Sequence, residues 1–264
     1  MKNNEKSNSL VVYKNDFNTV PLRNFTATEM NLLFTIMSKM RNQGLNSIKF
    51  NFHELKELSK YNKETAIKSF VDDLESTYDK LIQLNVKIGN SRQWTKFVFF
   101  TKYSVDIDEQ TVEIKINEEF KHLINEISGN FTKLELEEIT TLKSSYSKNL
   151  YRLLKQYRST GYRIFTIEEF RELMDIPDSY KMGNIDQQIL TPIKKQLPPY
   201  FHNLKIKKIK GTGRDSRKIK YIEFTFSSDD GLYKGNRTFR NKDGEYYEKY
   251  ISDFTPEEIK KAYP

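Results

Sequence analysis

The 264 residues predict an α+β fold in which one unit of helices and strands is built twice in tandem, with a short C-terminal extension. Three observations carry that expectation. The first is the stretch Leu142 to Tyr162, LKSSYSKNLYRLLKQYRSTGY, where Tyr146, Leu150, Leu153, Leu154 and Tyr157 fall at i, i+4, i+7, i+8 and i+11. That spacing paints one apolar stripe on a helix, while Lys143, Lys148, Arg152, Lys155 and Arg158 take the rest of its circumference, so one packed face and one basic face are expected. Gly161 stands where a left-handed cap closes a helix, and Arg163 to Thr166 reads as a short strand. The second observation is that Phe50–Leu58 and Phe165–Leu173 match in character position by position. The third is that a longer helix and aromatic-rich strands follow both segments.

Length allows one or two domains, each able to bury a core without staples. The absence of cysteine excludes a disulfide framework, thiolate-bound zinc or iron–sulfur clusters and a thiol nucleophile, and suits a reducing cytosol. The opening MKNNEKSNSL lacks an apolar targeting core, and no uncharged run approaches the roughly 20 residues of a membrane span, so a soluble, cytoplasmic protein is expected. Net charge is +8, but 36 acidic residues accompany 44 basic ones, so the excess matters only where it is concentrated.

In chain order, Leu10 to Tyr13 reads as a short strand before a turn at Pro21. Phe25 to Glu29 starts a helix with a threonine cap and a carboxylate at the positive helix end. Met30, Leu33, Phe34, Met37 and Met40 continue it, and Gly44 ends it. Ser47 to Phe52 is a strand, His53 to Ser59 a short helix, Lys60 to Asn62 a turn, and Lys63 to Leu84 a longer helix buried through Ile67, Phe70, Val71, Leu74, Tyr78 and Leu81. Val86–Gly89, Trp94–Val105 and Thr111–Ile116 supply strands, with Asp108-Glu109-Gln110 as the last turn, and Asn117 to Ile127 returns to helix. Helix, strand, helix, turn, helix and hairpin is the skeleton of a winged helix.

The second half repeats it. Glu54 and Glu57 coincide with Glu169 and Glu172, while Leu33, Ile36, Met37, Met40 and Gly44 correspond to Leu150, Leu153, Leu154, Tyr157 and Gly161. Two tandem winged-helix domains are therefore expected, 1–128 and 129–228, followed by an extension at 229–264. The junction is placed at Asn125–Asn130, and Leu134–Ile139 opens the second copy. In the extension a flexible basic, tyrosine-rich linker leads to a capped helix at Phe254–Glu258, which either docks a partner or packs back.

Charge concentrates in KIKKIKGTGRDSRKIK, Lys205 to Lys220, with eight basic residues and one acidic. Ile206 and Ile209 against Ile219, Tyr221 and Phe224 predict a hairpin with its tip at Gly211-Thr212-Gly213. Cations on such a wing can lie along phosphates and release counterions, and eight in sixteen residues exceed what edge protection requires. Lys205, Lys207, Lys208, Lys210, Arg214, Arg217 and Lys218 are its DNA-contacting candidates. In the first copy the corresponding loop is placed at Gly89 to Lys96, much less charged, with Arg92 and Lys96 as candidates, so the copies should contribute unequally. Base reading falls to the helix before each wing. In the second copy it spans Asn184 to Leu197 and exposes Asn184, Gln187, Gln188, Lys194 and Lys195, the amides being suited to adenine. In the first copy Asn62, Lys63, Thr65, Lys68 and Ser69 hold the matching places. Pro192 removes a helix hydrogen bond and either bends the axis to a groove or ends the first half early.

LKSSYSKNLYRLLKQY, Leu142 to Tyr157, resembles the signature helix of the initiator-replication family, the iteron-binding plasmid replication initiators. Gln188–Lys195, QILTPIKK, is similar to that family's leucine-x-proline stretch in the second recognition helix. Gln196–Tyr200 departs from the pattern where the helix would continue. The resemblance spans about residues 10 to 226 and implies two winged-helix domains, the second dominating contact with origin repeats and the first sharing DNA contact and dimerisation. It implies double-stranded DNA as partner, in direct repeats bound by monomers and an inverted-repeat operator as the dimer's target, together with host initiator or helicase proteins. It also implies origin opening, repression of its own promoter and restraint of copy number, with no enzymatic activity and no cofactor or metal. A plain winged-helix repressor is the first alternative. A nicking enzyme or nuclease is the second: His53, His122 and His202 form no closely spaced pair, there is no phosphate-binding glycine loop, and Glu135, Glu137 and Glu138 read as an exposed acidic first turn.

Overall fold

The computed structural model describes residues 10–40, 47–61, 66–89, 92–118, 131–211, 213, 216–228, 237–240 and 246–249. Gly44, Asn62, the junction at 125–130, nearly all of the helix expected at 117–127, and the segment 254–258 lie outside them. The chain forms two compact bodies, Met1–Gln156 with Leu173–Gln196, and Tyr157–Glu172 with Leu197–Pro264.

In the first body, β1 (Leu10–Lys14) pairs antiparallel with β7 (Phe131–Glu135), so the segment expected simply to open the second copy begins as a strand. Val11, Tyr13 and Leu134 are buried along this ribbon. Helix α1 (Ala27–Met40) starts with a capping box: Thr26 Oγ1 accepts from Glu29 N–H at 3.2 Å, and the Glu29 carboxylate accepts from Thr26 N–H at 2.7 Å. Two otherwise unpaired donors are satisfied reciprocally, which stabilises the end by about 1 kcal/mol. Met30, Leu33, Phe34, Met37 and Met40 are buried as their spacing requires.

β2 (Ile48–Asn51) runs into α2 (Phe52–Leu58), then comes α3 (Ile67–Gln83). Phe70, Leu74 and Leu81 of α3 are buried, but Ile67, in its first turn, is exposed. The expected strand Trp94–Val105 is two: β4 (Trp94–Val98) pairs with β3 (Asn85–Gly89), and β5 (Phe100–Asp106) pairs with β6 (Thr111–Ile116). Phe99 divides them because its N–H bonds Leu84 O at 3.2 Å and its carbonyl accepts from Asn117 N–H at 3.0 Å, holding the buried ring in the core.

The duplication is visible in the geometry of each copy. β8 (Tyr162–Thr166) runs into α6 (Ile167–Leu173) as β2 runs into α2, residue for residue at the expected offset. Asn51 Oδ1 caps Glu54 N–H at 2.7 Å, and Thr166 Oγ1 caps Glu169 N–H at 3.0 Å. The sheets repeat the same strand order, β2-β6-β5 and, with β9 (Lys205–Lys210) and β10 (Ile219–Thr225), β8-β10-β9. Phe50 and Leu55 are buried in one copy, Phe165 and Phe170 in the other.

Between β7 and β8 lie α4 (Leu136–Thr141) and α5 (Ser145–Lys155). The signature helix is thus shorter than Leu142–Tyr162. Ser144 caps Ser147 N–H, and Gln196 Oε1 accepts from the N–H groups of Lys143 and Ser144 at 2.8 and 3.3 Å. Gly161 does adopt the left-handed conformation, φ +65°, with its N–H on Tyr157 O at 2.8 Å. In the extension, the expected flexible linker contains a paired hairpin, β11 (Arg237–Arg240) with β12 (Tyr246–Lys249). Its Thr-Phe and Tyr-Tyr pairs favour strand.

Candidate nucleic-acid interface

The signature helix α5 is not the basic surface its periodicity predicts. Lys148 and Arg152 are both 0 % exposed. Arg152 Nε donates to Asn149 Oδ1 at 2.7 Å, and its terminal nitrogens donate to Val20 O at 2.8 Å, Phe17 O at 3.2 Å and Asn18 Oδ1 at 3.4 Å. Burial pulls this guanidinium down to about 10, so it stays charged at neutral pH. Lys148 Nζ donates to Asn31 Oδ1 at 2.6 Å and Ile139 O at 2.5 Å, and burial, with Lys60 adding repulsion, pushes its ammonium down to about 7. Residues 17–20, α1 and α4 cover the polar side of the helix, which makes it a core element.

The acidic residues near α4 do not form the exposed first turn expected of them: Glu135 ends β7, and both Glu135 and Glu138 are half-buried, leaving Glu137 exposed. Glu135 and Glu138 converge on Lys155 at 2.7 and 3.0 Å, and the Tyr151 hydroxyl donates to Glu138 at 2.5 Å. Burial alone would raise the Glu135 carboxyl, but the bond and charge of Lys155 outweigh it and hold it low. His53 and His202 are exposed, while His122 lies outside the described residues.

The helix that should read bases runs from Met182 to Gln196 without interruption, Met182–Asn184 and Thr191–Gln196 being α-helical and Ile185–Leu190 a π turn; we call it α7. The π turn is how the chain accommodates Pro192, one residue into the α-helical continuation. A proline nitrogen cannot donate, and the wider turn lets Thr191 satisfy Asp186 O through both its N–H and its hydroxyl, the latter at 2.9 Å. Pro192 therefore does not stop the helix. Ile185, Ile189, Leu190 and Ile193 are buried, and Asn184, Gln187, Gln188, Lys194 and Lys195 are exposed. Asn184 Oδ1 already accepts from Lys181 N–H at 2.9 Å. A two-point contact with adenine needs both amide atoms, so Gln187 and Gln188 suit it better. Lys181 and Gly183, also exposed on this helix's first turn, were not singled out by charge or amide pattern.

The basic hairpin forms as expected. β9 and β10 pair from Lys205↔Thr225 to Lys210↔Ile219, with Lys220 bulged out of the ladder between the paired residues Ile219 and Tyr221, and Gly211 N–H closes on Lys218 O at 3.0 Å. Ile206 and Ile209 are half-buried, whereas Lys205, Lys207, Lys208, Lys210, Arg217 and Lys218 are exposed; Arg214 lies outside the described residues.

The first copy differs. By strand order its wing is β5–β6, with its tip at 107–110, and β3–β4 is an additional hairpin, so the loop at Gly89–Lys96 is not the counterpart of the basic tip. Arg92 and Lys96 are exposed on that extra hairpin, Lys96 Nζ lying 5.8 Å from the Trp94 ring. The true counterpart, residues 100–116, carries two lysines against four carboxylates, Asp106, Asp108, Glu109 and Glu113. On α3, Lys68 is exposed and Ser69 half-buried in the first turn, but Asp72, Glu75 and Asp79 are exposed further along. Asn62, Lys63 and Thr65 lie outside the described residues.

Two copies of strand, short helix and terminal hairpin, one of them ending in a cationic wing, define a tandem winged-helix protein of the DNA-binding class. Residues 10–155 match the family model described as initiator replication protein, WH1, and residues 166–226 match initiator Rep protein, WH2; the chain belongs to this initiator replication protein family. It is 33 % identical over 223 residues to a probable replication protein of Bifidobacterium longum (strain NCC 2705), a match covering 84 % of this chain and 73 % of that one. Its fold is that of the Pi initiator protein, solved in complex with iteron DNA, with a TM-score of 0.64 at 16 % identity, covering 85 % of this chain and 99 % of the other. No described helix is long and apolar enough to cross a membrane.

Proposed function

We propose that this chain is a plasmid replication initiator that binds repeated origin DNA sequence-specifically, helps to open the origin and recruits host replication proteins without catalysing a reaction. The observation that carries this is membership of the initiator family joined to an α7 whose exposed face is amide and lysine. Gln187, Gln188 and the Asn184 amide nitrogen read bases; Lys194, Lys195 and the wing cations Lys205, Lys207, Lys208, Lys210, Arg214, Arg217 and Lys218 hold phosphates. In the first copy, contact is confined to Asn62, Lys63, Thr65 and Lys68, with Arg92 and Lys96 contributing from the extra hairpin, because acidic residues follow on α3 and on the wing. Residues 1–128 serve dimerisation together with this limited DNA contact, and 129–228 are the main DNA-binding unit. A relative named as a replication protein and a fold neighbour seen with iteron DNA support initiation over simple repression, and the dimer represses the chain's own promoter.

Fluorescence anisotropy at fixed salt, comparing DNA upstream of the chain's own gene with a shuffled duplex, tests the reading. Preference of about a thousandfold or more is expected. Equal binding with only a salt slope overturns it.

A further inference from the structure

The first turn of α7 contains a glycine that nothing inside the protein asks for. Gly161 and Gly213 have positive φ, whereas Gly183 has ordinary helical geometry. A Cβ built on Gly183 meets nothing within 4 Å, although the same construction at Gly161 strikes Phe226 O at 2.2 Å. Glycine costs a helix backbone entropy that alanine does not. Local stability therefore favours alanine here, and packing is indifferent.

The position singles out an external reason. Gly183 is exposed, between Lys181 and Asn184 and one turn ahead of Gln187, on the helix whose buried side is Ile185, Ile189 and Ile193. A recognition helix places its first turn deepest in a major groove, where the distance between backbone and base edges decides whether amide side chains reach. We propose that Gly183 is a specificity-determining residue: its missing side chain lets the first turn of α7 approach the DNA closely enough for Gln187 and Gln188 to contact base edges. This rests on the DNA-reading role of α7 proposed above.

The two effects of adding a methyl group then have opposite signs. Gly183→Ala raises the melting temperature of the free protein by about 1–3 °C, because the unfolded chain loses freedom and nothing clashes. The same variant lowers affinity for the origin duplex about tenfold, and Gly183→Leu lowers it further, while both leave affinity for the shuffled duplex and its salt slope unchanged. The experiment is anisotropy titration of wild type, Gly183→Ala and Gly183→Leu on both duplexes, with thermal melts of each protein. If wild type prefers the origin duplex and both variants keep that preference, the inference is wrong while the function stands. A lower melting temperature for Gly183→Ala also overturns it, since the glycine would then serve the fold. If wild type shows no preference, the DNA-reading role fails and the inference falls with it.

Discussion

Arg152→Ala separates a buried arginine from a surface one by sign as well as size. The guanidinium makes four hydrogen bonds, to Phe17 O, Val20 O, Asn18 Oδ1 and Asn149 Oδ1, at 2.7 to 3.4 Å, and is fully shielded from solvent. Each buried acceptor left unpaired costs about 1–3 kcal/mol. Water entering the vacated space recovers part of this, so a net loss of about 3–5 kcal/mol is expected, the range for removing one member of a buried charged network. Against a total stability of about 5–15 kcal/mol this is a large fraction, and it lowers the melting temperature by on the order of 10 °C. Arg152→Lys keeps the charge without the planar fork and falls between. Thermal and urea melts by circular dichroism provide the assay, paired with the salt slope of DNA binding at a temperature where the variant is folded. An arginine on a solvated basic face would give the reverse pattern, unchanged stability and a slope reduced by about one. A melting temperature within about 1 °C of wild type refutes the buried network.

Lys148 makes stability depend on pH. Its folded value of about 7 lies below the unfolded 10.5, so between them the unfolded chain binds the extra proton and stability rises with pH, by at most about 1.4 kcal/mol per unit. Lys148→Met removes that contribution, and parallel stability profiles of variant and wild type from pH 7 to 9.5 refute it. Gly161→Ala combines a left-handed backbone, about 1–2 kcal/mol for an alanine, with the clash on Phe226 O at 2.2 Å. More than about 2 kcal/mol should be lost in urea denaturation, and wild-type stability would show that the turn relaxes freely. Replacing Lys205, Lys207, Lys208 and Lys210 together by alanine leaves the melting temperature unchanged and reduces the magnitude of the salt slope by up to about 0.9 for each phosphate no longer neutralised; an unchanged slope means that the wing does not lie on the backbone.

What could be read in advance was local. The cap and strand entry of α2 and α6 depend on residues three positions apart, Asn51 with Glu54 and Thr166 with Glu169, and the apolar spacing of α1 sets which side chains it buries. The exposed face of α7 was equally legible, since it needs only the period of the isoleucines. What failed was long-range. A helical wheel assumes that the polar side of α5 meets water, but Phe17, Val20 and Asn31, more than a hundred residues earlier, are what Arg152 and Lys148 meet. The first wing was misplaced for a related reason. Two hairpins follow α3, both with plausible turns, and only pairing with β2 decides which one completes the winged-helix sheet.

That corrected pairing sharpens the difference between the copies. Their skeletons coincide, with Phe50 and Phe165 buried, side-chain caps at the same step and the same strand order. Their wings have opposite charge: two lysines against four carboxylates in residues 100–116, eight basic residues against one carboxylate in 205–220. Exposed carboxylates at a DNA backbone would meet like charge and release no counterions, whereas each wing cation that neutralises a phosphate releases them. The first wing therefore gains nothing from lying along DNA, and the acidic residues Asp72, Glu75 and Asp79 impose the same limit on α3 beyond its first turn. A skeleton that fixes where a hairpin projects leaves its charge free to vary. With the DNA contacts proposed above, the salt-dependent share of affinity is expected to come from the second wing, and substitutions in 100–116 should leave the salt slope where it was.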